Sequence, residues 1–130
     1  MVIILQNYRR IDRYAQGVHA EVCALKHLEK MGMICIAKRL KTPYGEIDLL
    51  MQDKQTLVAV EVKYRQSLNQ AAYSIKPKQQ LRIQQAFAYW ISQHTTYRDS
   101  PPFQRFDVVL VCPGYKIIHY QNAWTSEISN

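Results

Sequence analysis

The sequence predicts a single α/β domain in which helices flank a central mixed β-sheet. Two stretches repeat apolar residues at the three-to-four spacing of an amphipathic helix, and five short apolar runs bounded by turn residues have the character of strands. These stretches follow one another in the order α-β-β-β-α-β-β. At 130 residues, with 48% hydrophobic and 21% charged residues, the chain is long enough for one such domain with its own core.

The first helix is predicted over residues 15–31, with Gly32 as its C-terminal cap. Helical spacing places five apolar side chains on one side, facing the core. This predicted inner face consists of Ala20, Ala24, Leu25, Leu28 and Met31.

Three strands should follow the first helix, then a second helix and two further strands. The strands are predicted at residues 33–40, 46–51, 56–64, 105–112 and 115–120. The second helix should run from Lys78 to about His94, and residues 95–102 contain enough breakers to predict a loop. The predicted inner face of the second helix consists of Ile83, Ala86, Phe87, Trp90 and Ile91.

The predicted domain covers residues 15–122, with a segment on each side of it. Residues 1–14 form a basic N-terminal lead-in, open to either a flexible solubilising role or a contact with single-stranded or junction nucleic acid. Residues 123–130 are predicted to be a C-terminal tail.

The charge balance points to a polyanionic partner. A formal net charge of +7 on so small a domain favours nucleic acid first and an anionic membrane surface second, against the alternative of a basic protein with neither partner. Of the two, nucleic acid is the predicted partner, with DNA favoured over RNA and no membrane. Three widely spaced cysteines without a C-x-x-C motif predict a reduced, cytoplasmic protein.

Two apolar strand-like runs contain acidic residues, which are costly to bury without partners. Asp48 lies within the run of residues 45–50, and Glu61 follows the apolar residues 57–60. Side chains two apart on a strand share a face, so Glu61 and Lys63 should lie on the same side of the sheet.

This pattern predicts a divalent-metal site suited to phosphodiester hydrolysis. Asp48 and Glu61 would hold Mg²⁺, for which Mn²⁺ can substitute, and the backbone carbonyl of Val62 would add a ligand. Lys63 would act on the attacking water or stabilise the charge that develops on the phosphate, and Glu21 of the first helix would assist. The competing interpretation is that Glu61 and Lys63 pair with each other on a solvated strand face.

Several basic residues are candidates for contact with nucleic acid. A cluster at the start of the second helix has two open interpretations, phosphate binding or a solvated helix face. Asp107 is expected to pair with Arg105 or with a helix residue rather than to act in catalysis. The residues predicted to bind nucleic acid are Arg39, Arg65, Lys76, Lys78 and Arg82.

The acidic motifs resemble the D…E-x-K signature of the PD-(D/E)XK nuclease superfamily. A closer resemblance is to the small bacterial YraN family, over roughly residues 15–112. The matching segments, in order, are Gly17 with Glu21, then G-E-I-D-L at 45–49, V-E-V-K-x-R at 60–65 and R-F-D-V-V at 105–109. The set is also similar to archaeal Holliday-junction resolvases, in which a helical Glu joins the Asp, Glu and Lys.

The resemblance implies a restriction-endonuclease-like core and metal-dependent cleavage of DNA, with branched or damaged DNA in recombination or repair as the substrate. A homodimer is implied by analogy with nucleases that cut paired strands. The alternative, from a different class, is a non-catalytic nucleic-acid-binding or assembly protein that retains the nuclease fold.

Overall fold

The computed structural model describes residues 2–66, Asn69 and residues 74–125, with side chains described from Arg13 onward. Within this part of the chain the predicted α/β class and element order are confirmed, with one short helix added. In chain order the elements are α1 (Val2–Lys30), β1 (Ile34–Thr42), β2 (Gly45–Asp53), β3 (Thr56–Tyr64), α2 (Pro77–Ser92), α3 (Thr95–Asp99), β4 (Phe103–Cys112) and β5 (Lys116–Trp124).

The strands form one mixed sheet in the order β1-β2-β3-β4-β5. β3 and β4 are parallel, and every other neighbouring pair is antiparallel. A parallel pair needs a long crossover, and the segment that carries α2 and α3 supplies it. The mixed sheet is therefore the one expected of a restriction-endonuclease-like core.

A helix covers each face of the sheet. On one face Ala20, Ala24 and Leu28 of α1 are buried against β3 and β4, where the two alanines allow the helix to approach closely. On the other face α2 contributes all five of its predicted inner residues to a second core. Phe87 is fully buried there and meets Phe106 edge-on, with ring centroids 5.7 Å apart. The site described below lies on the α2 side.

Both ends of α1 differ from the prediction. The helix begins at Val2 instead of Ala15, because residues 2–14 contain no glycine or proline to stop it. No break in secondary structure therefore marks residue 14, although the side chains of residues 2–12 lie outside the described part. Met31 was wrongly placed on the inner face: it is 48% exposed because the helix ends at Lys30, and Gly32 then turns the chain with φ +93°.

Two further differences lie in the C-terminal half. The predicted loop of residues 95–102 contains the short helix α3, whose Tyr97 packs against Trp90 of α2 with ring centroids 5.3 Å apart. The last strand extends beyond residue 122 to Trp124, which is buried and stacks on Phe106 at 5.0 Å. The predicted tail therefore begins inside the sheet, and residues 126–130 lie outside the described part.

Among the described residues, no helix combines the length and the apolar character needed to cross a membrane. Cys23, Cys35 and Cys112 are free cysteines in the structure.

In β2 the alternation of side chains between the two faces of the sheet is interrupted at Asp48. Leu49 and Met51 point to the α1 side, whereas Ile47 and Leu50 both join the core on the α2 side, although a regular strand would place them on opposite faces. The pairing of β2 with β3 ends at the same point, with Leu49 opposite Val60. The two strands therefore separate where Asp48 and the end of β3 face each other.

Candidate active site

Asp48 occupies the gap that opens between β2 and β3. Its Oδ2 accepts a hydrogen bond of 2.8 Å from the backbone N–H of Val62. Beyond Leu49 the β2–β3 ladder no longer supplies a partner for that N–H, so the carboxylate takes the place of a backbone carbonyl. This bond fixes the acidic side chain beside the end of β3.

Glu61 lies across from Asp48 and is anchored by α2. Its Oε1 accepts a hydrogen bond of 2.9 Å from Nε2 of Gln79. Ala59, two residues earlier in β3, is buried in the α2-side core, so strand alternation places Glu61 and Lys63 on that side as predicted. Sequence reasoning missed Gln79, whose only signal was a polar position in the first turn of an otherwise amphipathic helix.

The ionised forms of both carboxyl groups are destabilised, mainly by burial. Burial raises the pKa of Asp48 to about 6, and the negative charges of Glu21 and Glu46 add to this effect. Burial raises the pKa of Glu61 to about 8, with a further contribution from the charge of Asp48. The Lys63 ammonium opposes that shift, although the described part of the chain contains no direct ion pair between Glu61 and Lys63. Glu61 and Lys63 therefore do not form the surface ion pair of the competing interpretation.

Both carboxylates line a cleft of about 440 Å³ between the sheet and the start of α2. Three of the five residues predicted to bind nucleic acid also line this cleft. Acidic side chains thus meet basic ones across a single concave surface, with the carboxylates more buried than the cations. These basic residues are Lys76, Lys78 and Arg82.

Glu21 and Arg39 are brought together away from the cleft. Arg39 Nε lies 2.8 Å from Glu21 Oε2, and both residues line a separate cavity of about 200 Å³ on the α1 side. Arg39 takes a φ of +46°, which lets its side chain turn toward α1. Glu21 still acts on the site through its charge, which raises the pKa of Asp48. Its prediction as an assisting residue, and that of Arg39 as a nucleic-acid contact, stay predictions.

Val62, Lys63 and Arg65 occupy the end of β3 and the residues just beyond it. The backbone N–H of Val62 lies against Asp48, whereas the predicted metal contact of its carbonyl stays a prediction. Arg65 is exposed, and its guanidinium donates a hydrogen bond of 2.8 Å to the carbonyl of Tyr64. A cation therefore stands at the point where the chain leaves the sheet.

The donor set is suited to a hard divalent cation. Among the described residues no group of three or more His, Cys, Asp or Glu side chains has the geometry of a metal site. Two carboxylates with the other positions left to water and phosphate oxygens are, however, the usual donor set for Mg²⁺ in phosphoryl-transfer sites. Burial is the main cause of the raised pKa values of both carboxyls, and a cation beside them would offset it by stabilising their ionised forms.

Asp107 has a structural environment, as expected. Its fully buried carboxylate accepts two hydrogen bonds from Arg105, at 2.9 and 3.0 Å, and one from the backbone N–H of Asn122 at 2.9 Å. His119 Nε2 lies 2.7 Å from its other side. Burial alone would raise the pKa of Asp107, but the hydrogen bonds of His119 and Arg105 outweigh it and hold the pKa below its usual range. The residue ties β4 to β5.

The fold and the cleft together define a class: an α/β protein with the mixed five-stranded sheet of a restriction-endonuclease-like core and a half-buried carboxylate pair beside the end of its central strand. Comparison with known proteins narrows this class. The model of the uncharacterised protein family UPF0102 matches residues 20–111, and the chain belongs to that family.

Relatives in that family are similar over most of their length. A UPF0102 protein of Rhodopseudomonas palustris strain BisB18 is 41% identical over 105 residues, covering 80% of this chain and 76% of the relative. Another, from R. palustris strain CGA009, is 38% identical over 115 residues, covering 88% and 87%. A UPF0102 protein of Nitrobacter winogradskyi is 40% identical over 105 residues, covering 80% and 86%. The predicted family resemblance is thereby confirmed, since UPF0102 is the YraN family.

Proposed function

We propose that the protein is a Mg²⁺-dependent nuclease that hydrolyses phosphodiester bonds of DNA. The observation that carries the proposal is the half-buried pair Asp48 and Glu61, held in one cleft with raised pKa values and faced by cations at the start of α2. Acidic groups whose ionised forms are disfavoured by burial are costly to keep in one cleft. Binding of a divalent cation would explain why the two groups lie side by side.

The basic side of the cleft binds and orients the substrate. Lys78 and Arg82 are one turn apart on α2, so both can reach the same phosphate backbone, and Lys76 precedes the helix. These cations provide affinity that does not depend on base sequence, in keeping with the net charge of +7. The phosphate is thereby placed on the carboxylate side of the cleft.

The acidic side of the cleft supplies the chemistry. Oxygen atoms of Asp48 and Glu61, with the carbonyl of Val62, would hold Mg²⁺, which when bound makes a water molecule more nucleophilic and neutralises phosphate charge. Gln79 fixes the rotamer of Glu61 by donating to Oε1, which leaves its other oxygen for the cation. Lys63, on the same strand face, orients the water or stabilises the charge that develops on the phosphate.

The finer substrate assignment rests on the family resemblance and on charge. We propose branched or damaged DNA as the substrate class, in recombination or repair, with the protein acting as a homodimer on paired strands. DNA is favoured over RNA by the same resemblance.

A cleavage panel tests the proposal. Branched, nicked, single-stranded and duplex DNA of matched length are incubated with Mn²⁺ or with EDTA, using wild type and Lys63→Ala. We expect metal-dependent cleavage by wild type and a loss of at least about 100-fold in Lys63→Ala. Salt-sensitive binding without cleavage of any substrate would favour the non-catalytic alternative, and the absence of both would rule out either nucleic-acid function.

A further inference from the structure

A further cavity lies on the opposite face of the sheet from the carboxylate cleft, where β3 and β4 end beside α1. Its volume is about 290 Å³, near the lower end of the range for small-molecule sites. Unlike the first cleft it contains no acidic side chain, and ring-bearing residues of three different elements line it. These are His19 of α1, Tyr64 of β3 and Tyr115 of the turn between β4 and β5.

Tyr115 is held over this cavity at a cost in backbone energy. Its φ of +61° lies in the left-handed region, which costs a bulky non-glycine residue on the order of 1 kcal/mol or more. Burial does not offset that cost, because Tyr115 is 64% exposed. Its ring meets His19 edge-on, with centroids 5.0 Å apart. A strained and exposed aromatic ring at the mouth of a cavity is an arrangement that a stacking ligand would explain.

The cavity is close to the proposed cleavage site along β3. Strand alternation sends Glu61 and Lys63 to the α2 side and Tyr64 to the α1 side, so different residues near the end of one strand line the two cavities. Tyr64 is three residue steps along the strand from Glu61, which corresponds to about 10 Å. Arg65 follows immediately and is exposed, so a cation lies at the end of this strand.

We propose that this cavity, the aromatic cavity, binds an unpaired nucleobase of the substrate strand. The inference rests on the proposed function for its substrate, a nucleic acid. Every base has a π face that can stack on Tyr115 whatever its sequence, and the Gln16 amide and His19 ring offer hydrogen bonds to a base edge. A paired base inside a duplex cannot enter such a cavity without leaving its stack. The cavity therefore selects DNA with an unpaired segment next to the scissile bond.

Binding in EDTA tests this inference apart from catalysis. Fluorescence anisotropy measures the affinity for a labelled single-stranded 12-mer and for the matched duplex, with wild type, Tyr115→Gly and Tyr115→Phe. Glycine suits φ +61° better than tyrosine does, so Tyr115→Gly should unfold at the same temperature as wild type or higher. We expect Tyr115→Gly to weaken single-strand binding roughly 5- to 150-fold and duplex binding less than about twofold, and Tyr115→Phe to keep wild-type affinity.

A matched control is Phe103→Ala, which removes an aromatic ring that is 73% exposed at the opposite end of β4 and should change neither affinity. The inference is overturned if Tyr115→Gly weakens both substrates equally, if Tyr115→Phe loses as much as Tyr115→Gly, or if wild type does not bind the single strand. If thymidine monophosphate at the same concentration as the strand displaces it, the cavity binds a free nucleotide, and the inference is overturned as well. If wild type cleaves DNA and Tyr115→Gly binds the single strand as wild type does, only this inference is refuted. A selective binding loss without any cleavage refutes only the proposed nuclease activity.

Discussion

Glu61→Gln should stabilise the metal-free protein at alkaline pH. Glu61 is half-buried beside Asp48, and its pKa is raised from 4.5 to about 8, so the folded state holds a proton that the unfolded chain has released. Between these two values stability falls as pH rises, and the full penalty is present above about pH 8. The amide removes the charge and keeps an oxygen that can accept the hydrogen bond from Gln79.

The size of the effect follows from the pKa difference. One pKa unit corresponds to about 1.4 kcal/mol, so the difference between 4.5 and about 8 sets an upper limit of roughly 5 kcal/mol. Relaxation and water entry reduce this, and we expect about 2 kcal/mol. For a chain of 130 residues that is on the order of 5–10 °C in Tm.

The assay is thermal unfolding in EDTA at pH 5 and pH 8.5. The gain of Glu61→Gln over wild type should be small at pH 5, where the folded protein keeps Glu61 protonated, and should reach its full size at pH 8.5. Glu46→Gln is the matched control, because Glu46 lines the same cleft but is exposed, and its Tm should stay within about 2 °C of wild type. A gain for Glu46→Gln as large as that for Glu61→Gln, or a loss of stability in Glu61→Gln at pH 8.5, would refute the reasoning.

Three further outcomes are expected. Asp107→Ala leaves buried donors without their acceptor and should cost about 3–5 kcal/mol in urea unfolding; a cost below about 1 kcal/mol would contradict its structural role. Gln79→Ala removes a donor that favours ionised Glu61, so the pH midpoint of Mn²⁺ binding should move up by about 0.5–1 pH unit, and a downward move would contradict the assignment. Lys78→Ala and Arg82→Ala should each lower the slope of log affinity for duplex DNA against log salt by about 0.9, whereas unchanged slopes would assign them to a solvated helix face.

Much of the fold could be predicted because local signals agreed with tertiary packing. β3 has the predicted bounds, since a continuous apolar run is closed at its start by the turn after Asp53. All predicted inner residues of α2 are buried, because the spacing of apolar residues directly encodes which side faces the sheet. The short helix α3 could not be predicted, because its five residues form a helix mainly through the packing of Tyr97 on Trp90.

The acidic residues of the candidate site could be predicted from the sequence, but the residues that contact acidic side chains could not. Asp48 and Glu61 stood out because charged residues are rare inside apolar strands. Gln79 looked like any surface glutamine, since nothing local reveals that a helix turn will lie over a carboxylate. The pairing of Glu21 with Arg39 spans 18 positions and depends on a positive φ, and neither feature can be read from composition or periodicity.

The most direct measurement is a calorimetric titration of Mn²⁺ into wild type and Asp48→Ala at pH 8. If the cleft is a divalent-metal centre, wild type should give a saturable isotherm for one site per chain and Asp48→Ala should give only heats of dilution. Binding should also release protons, seen as a dependence of the heat on the ionisation enthalpy of the buffer, because Glu61 has a pKa raised to about 8. A wild-type protein that takes up no Mn²⁺, or an Asp48→Ala variant that binds as wild type does, would contradict the account.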